Sequence, residues 1–462
     1  DFTQSADAAM DQYRTDRLPY DPKTKRREPL LTFKRGAVVH FAMSDSEIQM
    51  ATKLDGDNTF FLPFNKGNDG HAGNPEGELK ADGTREYPVA YFWEAVCQPD
   101  AWLRVFHSFV YVEKKDVVDL KGNWSKKETL IFPRFHQWSA VNEMIADAKQ
   151  NGPGMAEHSA GSGKTSTISW TAHDLVKLRS DKGDSIFSSV IIVTDRNVLD
   201  GQLQDAVKQI DHQFGVIAAI DRQKSSKSKS QQLADALLAE TPIIVVTIQT
   251  FPYAMEAIVT DKALKGKNFA VIIDEAHNSQ TGTTAAKLQT ALAMSGQGKM
   301  ASLTVEELLE QLQKSRARPD NISYFAFTGT PKHSTLMLFG RVPDPSRKPS
   351  KDNLPEAFHK YKMRQAIEEG FILDVLKGYV PYKTAFNLAK QIEDNKRVSG
   401  KAAKRALAQW MSLHPTNVTQ KVQFIIEHFS KNVAHRLDGK AKAMVVTSSR
   451  AAAIRYKKAF DR

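Results

Sequence analysis

The sequence predicts an α/β protein whose core is a parallel sheet covered on both faces, and three observations lead there. The apolar runs SSVIIVT, PIIVVTI, FAVIIDEA and YFAFTGT are short, β-branched and aromatic, without the polar alternation of a half-exposed strand. Helical stretches alternate with them between about 132 and 375, as crossovers between parallel strands require. Each run also gives way to polar residues or a turn.

A chain of 462 residues is too long for one core, so two or three domains are expected. Hydrophobic residues at 41% and charged residues at 25% are ordinary for a globular protein and argue against disorder throughout. Sixty-four Lys and Arg against 53 Asp and Glu leave a formal charge of +11. A polyanion is the natural partner of such a surface, although an inert basic surface has the same charge. The single cysteine, Cys97, excludes an intrachain disulfide framework and a cysteine-built zinc site, and nothing around it suggests a lowered pKa. No apolar run is long enough for a bilayer and the start DFTQSADAAM has no signal pattern, so the expected location is the cytoplasm, with no membrane partner. Opening on Asp1 and closing on KKAFDR, the chain is expected to be a piece of something longer.

Along the chain, residues 1–130 mix short strands, such as AVVHFAM and FFLPFN, with loops, including the Gly-rich NKGNDGHAGNPEGELKADG. Residues 131–376 carry the buried strands, interrupted at DRQKSSKSKSQQ (221–232) by a polar, basic stretch that reads as a solvated loop. Residues 377–462 begin with helical segments and end in AKAMVVTSSR, which reads as the first strand of another α/β unit.

The stretch AEHSAGSGKTSTISW is a strand, a Gly-rich turn and a helix in succession. In that order successive backbone N–H groups converge on phosphate oxygens, and the following helix adds the positive end of its dipole. Gly161 and Gly163 let the backbone turn tightly, Ser162 lies between them, Lys164 reaches the β and γ phosphates, and Thr165 offers a hydroxyl to Mg²⁺. His158 stands where such loops usually have their first glycine, a place that tolerates a side chain pointing away from the phosphates. A bound Mg²⁺–ATP needs acids at the end of a neighbouring strand, and FAVIIDEAHNSQ supplies Asp274 for the metal shell and Glu275 to polarise the attacking water. The fold class is therefore α/β, a P-loop NTPase sheet, with ATP and Mg²⁺ as cofactors. His277 is either a capping or packing histidine or a relay of nucleotide state.

GSGKT, DEAH and FTGTP, in that order, resemble motifs I, II and III of superfamily 2 helicases and translocases, which implies a RecA-like motor. Within that superfamily the chain resembles the restriction (R) subunit of type I restriction-modification enzymes, whose motif I also opens on His. FLPFNKG followed by GNP, KKETLIFPRFHQW, IIVTDRNVLDGQ, VVTIQTF, FHKYKMRQAIEEGF and VVTSSR extend the likeness over nearly the whole chain.

The resemblance implies that Gln137, in FPRFHQW, reads adenine, which suits an amide that donates and accepts at once. Asp195, Arg196 and Gln202 after one strand, and Thr247, Gln249 and Thr250 at the end of the next, would face DNA, although loop caps are an equal reading. Thr328 and Thr330 would couple the ATP site to the DNA surface, and His277 would relay nucleotide state. Asn278 departs from the Arg usual in its place, which puts a salt link there in doubt. The arginines of a second motor domain would lie beyond Arg462, so efficient turnover by this piece alone is not expected.

The family's nuclease uses an Asp and a Glu-x-Lys, and residues 1–130 resemble an α+β nuclease domain without that catalytic core. Glu78-Leu79-Lys80 sits in a loop and Glu113-Lys114-Lys115 has no evident Asp partner, while Gln12 and Tyr13 are candidates for the site's border. The implied function is ATP-driven translocation on double-stranded DNA before cleavage, with specificity and methyltransferase (modification) subunits as partners. Another superfamily 2 helicase, of a repair or type III restriction kind, and a non-catalytic nucleotide-gated DNA-binding module are the alternatives.

Overall fold

The computed structural model describes residues 5–118, 124–148, 154–159, 162–194, 206–207, 209–210, 217–219, 229–247, 250–251, 254, 257–258, 261–264, 266–274, 321–331, 333–374, 412–434 and 441–461. Two compact units divide the chain, Asp1–Asp374 and Val375–Arg462.

The first unit is organised by a seven-stranded, all-parallel sheet of β6 (Gly154–His158), β7 (Ser189–Thr194), β8 (Ile217–Ala219), β9 (Ile243–Thr247), β10 (Phe269–Asp274), β11 (Ile322–Thr328) and β12 (His359–Tyr361). Its order is β12-β6-β11-β10-β7-β9-β8. The four apolar runs expected as strands are β7, β9, β10 and β11. Successive side chains of a strand point to opposite faces, and the core divides accordingly. Ile191, Val193, Ile244, Val246, Val271 and Ile273 pack on one side with Leu233 and Leu237 of α5 (Lys229–Leu238) and Phe339 of α6 (His333–Phe339). Val190, Ile192, Val245, Ile272, Phe325 and Phe327 pack on the other. There they meet Val141 and Met144 of α3 (Phe135–Ala148) and Ile168, Trp170 and Leu175 of α4 (Lys164–Lys177). Both faces being covered explains why these strands carry no polar alternation.

The N-terminal segment packs on this core within the same unit. It begins with α1 (Ala6–Thr15), capped by the Ser5 side chain, which accepts from the Ala8 amide. β1 (His40–Met43), β2 (Ile48–Ala51) and β3 (Leu62–Pro63) form an antiparallel sheet. Ile48, Met50 and Phe64 of this region share a core with Phe132 and Phe135, at the threshold of α3. After α2 (Pro99–Arg104) a π-helical turn, Val105–Phe109, leads to a ribbon of β4 (Tyr111–Val118) and β5 (Trp124–Ile131). The indole N–H of Trp170 donates to the Phe109 carbonyl at 3.1 Å, and Arg104 meets the buried Asp174 carboxylate at 2.6 Å, so two bonds fix this segment to α4. No separate nuclease subdomain stands out among the described residues. Glu113 forms an ion pair with Lys115 on the ribbon, Lys80 pairs with Glu86, and no group of three metal-ligating side chains occurs among the described residues.

In the second unit α7 (Pro415–Asn432) and α8 (Arg450–Phe460) pack together, burying Val418, Val422 and Ala452. The run expected as a strand, AKAMVVTSSR, is in no ladder, and Met444 and Val446 are 85% and 81% exposed. A β-favouring sequence becomes a strand only where a neighbour accepts its backbone hydrogen bonds. Among the described residues no helix is long and apolar enough to cross a membrane.

Candidate functional site

The candidate site lies at the carboxyl edge of the sheet, where parallel α/β proteins place their ligands. β6 ends at His158 and its loop enters α4 through Gly163, the helix N-cap. Gly163 has φ 78° and ψ 34°, the left-handed region, and a Cβ there would meet Gln137 Nε2 at 2.5 Å and Arg134 Nη2 at 3.2 Å. Glycine is demanded twice, by conformation and by space. The cap has no side chain to satisfy the first amides of a 14-residue helix, an end whose dipole favours an anion.

Two side chains of α3 hold the loop. His136 Nε2 is 2.9 Å from the Ser162 carbonyl, and the Gln137 amide donates to the Gly163 carbonyl at 3.1 Å while its oxygen accepts from the Arg134 amide at 3.0 Å. Both ends of the Gln137 side chain are therefore engaged on backbone. Beyond these two bonds such an amide keeps a second N–H and a second lone pair, the pair an adenine edge would use.

Inside α4 the hydroxyls of Ser169 and Thr171 donate to the carbonyls of Thr165 and Thr167, both at 2.8 Å, and so turn away from the loop. Thr165 itself is exposed and Lys164 half-buried, whereas the Ser162 hydroxyl is buried without a hydrogen-bond partner. A half-buried lysine, an exposed threonine, a helix start without a side-chain cap and an unpartnered buried hydroxyl make a donor set that fits a phosphate.

Asp274 ends β10 half-buried. The sheet register aligns it with Phe327, and Phe327 with Ala156, so the carboxylate lies two strands from the strand that feeds the loop, on the same edge. With strands about 4.8 Å apart, the two backbones are about 10 Å apart laterally. Thr328 is buried, its hydroxyl accepting from the Thr330 amide at 3.2 Å, and Thr330 is exposed. Thr247 and Thr250 are buried and share a hydrogen bond of 3.1 Å between their hydroxyls, so neither presents its hydroxyl at the surface here. Gln12 is exposed on α1; Tyr13 packs edge-on against His40 and donates to the Phe41 carbonyl at 3.4 Å. Gly161, Asp195, Arg196, Gln202, Gln249, Glu275 and His277 lie outside the described residues.

Sequence reasoning missed the floor beneath the loop. His158 is fully buried, its Nε2 2.9 Å from Nδ1 of His359 on β12. His136 stacks on Tyr361 at 3.8 Å between centroids, and Tyr361 donates to Glu369 at 2.6 Å. Arg134 lies 3.9 Å over the Phe371 ring. FHQ gave a weak signal through its histidine, but His359 and Tyr361 reach the loop only through the β12–β6 pairing.

Burial, with the neighbouring charges, holds these rings neutral. Burial first, then Arg134 and His158, keeps His136 well below the usual histidine range, and burial, His359, Lys164 and Arg134 do the same to His158. Burial lowers His359 to about 4. Between about pH 6.5 and 4 the unfolded chain binds protons that the folded chain refuses, so stability is complete above that window and falls on acidification through it. Each such histidine adds up to about 1.4 kcal/mol per pH unit to the slope. Urea unfolding as a function of pH is expected to show this loss, and His359→Asn to reduce its slope by one histidine's share.

The family model described as SWI2/SNF2 ATPase matches residues 136–405. The chain belongs to the SWI2/SNF2 ATPase family. This SWI2/SNF2 chain is 26% identical over 314 residues to the type I restriction enzyme HindI endonuclease subunit of Haemophilus influenzae, covering 65% of this chain and 24% of that protein. It is also 26% identical over 324 residues to the putative type I restriction enzyme MjaIXP endonuclease subunit of Methanocaldococcus jannaschii, covering 65% and 25%. The chain thus spans about a quarter of the length of the curated relatives it matches. Among solved structures, the Sulfolobus solfataricus SWI2/SNF2 ATPase core in complex with dsDNA is similar at 14% identity and a TM-score of 0.26, over 71% of this chain and 57% of that one. The SWI2/SNF2 match begins at His136, so the α3 residues that hold the loop fall within it.

Proposed function

We propose that this chain is the ATP-driven motor portion of a double-stranded DNA translocase, the restriction subunit of a type I restriction-modification system. The observation that carries the reading is the sheet register that sets the loop before α4 and the Asp274 carboxylate on one edge, two strands apart. In this reading Gly161, Ser162 and Gly163 shape the phosphate cradle, Lys164 neutralises the β and γ phosphates, and Thr165 and Asp274 hold the Mg²⁺ shell. Glu275 orients and polarises water, His277 relays nucleotide state, and Gln137 reads the base. When bound, Mg²⁺–ATP supplies a phosphoryl group whose hydrolysis releases the free energy for movement.

Asp195, Arg196, Gln202, Thr247, Gln249 and Thr250 are assigned to the DNA path, with Thr328 and Thr330 coupling it to the nucleotide. The two buried threonine hydroxyls would need a rearrangement to reach phosphates. Residues 131–376 form the first RecA-like motor domain in this scheme, 377–462 lead into a second, and 1–130 flank a nuclease, with Gln12 and Tyr13 at its border. The net charge of +11 suits phosphate tracking without sequence preference. Specificity and modification subunits are the proposed partners, by the likeness to restriction subunits.

The test uses the full-length protein with its partner subunits. A type I motor should displace a third strand from a distant site on intact duplex, with ATP turnover that depends on DNA. Extensive strand separation instead indicates a helicase of another kind, and nucleotide-dependent DNA affinity without turnover indicates a binding module.

A further inference from the structure

We propose that His136 is a positioning residue for the phosphate loop: by holding the Ser162 carbonyl inward it aims the amide N–H of Gly163 out of the loop, toward the ligand. The inference rests on the nucleotide-binding reading above. A trans peptide sets its C=O and N–H on opposite sides, and no cis peptide occurs among the described residues. The carbonyl of Ser162 and the amide of Gly163 belong to one such unit. With the oxygen fixed 2.9 Å from His136 Nε2, the N–H of Gly163 must face the other way. One residue later the Gly163 carbonyl is directed by the first turn of α4, accepting from the Ser166 amide at 3.1 Å, and Gln137 adds a bond to it at 3.1 Å. His136 thus orients the last peptide unit before the helix, the helix itself orients the next, and a concave run of such amides is what an oxyanion binds.

The histidine is itself held. Its ring lies on Tyr361 at 3.8 Å and an interplanar angle of 20°, and Tyr361 is tied through its hydroxyl to Glu369, which also accepts from Gln365 at 2.9 Å. The Ser159 amide donates to the Tyr361 carbonyl at 3.0 Å, so the same tyrosine anchors the entry of the loop. His158, joined to His359, fixes the end of β6 to β12 alongside. Because a carbonyl only accepts, His136 must carry its proton on Nε2. Burial and the nearby Arg134 cation keep the ring neutral in that tautomer.

Two substitutions separate the hydrogen bond from the packing. His136→Phe keeps a ring on Tyr361 and loses the donor; His136→Gln loses the ring and keeps an N–H at comparable reach. In the full-length protein, titrated with magnesium and a fluorescent non-hydrolysable ATP analogue, His136→Phe is expected to weaken binding about tenfold, and His136→Gln to stay within about threefold of wild type. His136→Phe should also lose most of the nucleotide-induced rise in melting temperature. Wild-type affinity in His136→Phe overturns the proposal, as does equal loss in both variants. Nitrogen-15 spectra of the wild-type imidazoles decide the matter should a variant not fold: a neutral Nε2–H tautomer at His136 is expected, and a charged or Nδ1–H ring refutes it. Wild-type protein that takes up no nucleotide refutes the proposed function and this inference with it, a result distinct from the others.

Discussion

Replacing Lys164 by alanine in the full-length protein is expected to abolish DNA-stimulated ATP turnover while leaving basal duplex binding in place. Lys164 is the first residue of α4, next to a glycine cap that has no side chain of its own to offer. Its charge is felt at the buried His158, which, after burial and His359, it helps to keep unprotonated. A cation fixed where phosphoryl charge accumulates contributes through preorganisation, and losing one such group costs about 10²–10³-fold in turnover. Basal DNA binding draws on the distributed charge of the whole chain and should change little. Steady-state phosphate release with and without linear duplex, beside a filter-binding isotherm, checks both halves. Unchanged turnover removes Lys164 from the site.

The second large effect is on stability. Trp170→Ala is expected to destabilise the unit Asp1–Asp374 by about 3–5 kcal/mol. Trp170 is among the largest fully buried side chains, lies edge-to-face or tilted against Tyr111 and Phe109, and gives its indole N–H to the Phe109 carbonyl. Truncation opens a cavity between α4 and the Phe109–Tyr111 segment and also leaves a buried carbonyl without its donor. The same helix presents the phosphate loop, so weaker nucleotide binding should accompany the lower stability. Urea unfolding followed by tryptophan-independent circular dichroism measures the first, and titration of the native fraction the second. A loss under 1 kcal/mol would mean that this helix face is not the packed core described.

Much of the motor core was legible because its signals are local. An unbroken β-branched run such as SVIIVT has few structural options other than a doubly covered strand, and Gly-Lys-Thr at a strand-to-helix turn carries its own geometric reason. The place of Asp274 was legible because an acid closing such a run sits at the carboxyl edge whatever the strand order. The order itself was not legible. β12, at one margin, pairs with β6, the first strand of the sheet, and so brings His359 and Tyr361 under a loop 200 residues earlier in the chain; no local pattern encodes that pairing. Gln137 was singled out for its chemistry, but its present partners, the backbone of residues 134 and 163, depend on how α3 docks. AKAMVVTSSR shows the opposite failure, a strand-like sequence whose state depends on a neighbour rather than on its own residues.

A structure of the full-length protein with magnesium and a non-hydrolysable ATP analogue would be the most direct measurement. The expected result is the terminal phosphates against the amides of residues 162–165, Lys164 on their oxygens, and the metal between Thr165 and Asp274. Nucleotide bound away from that edge of the sheet, or a metal more than one water's reach from Asp274, would contradict the assignment.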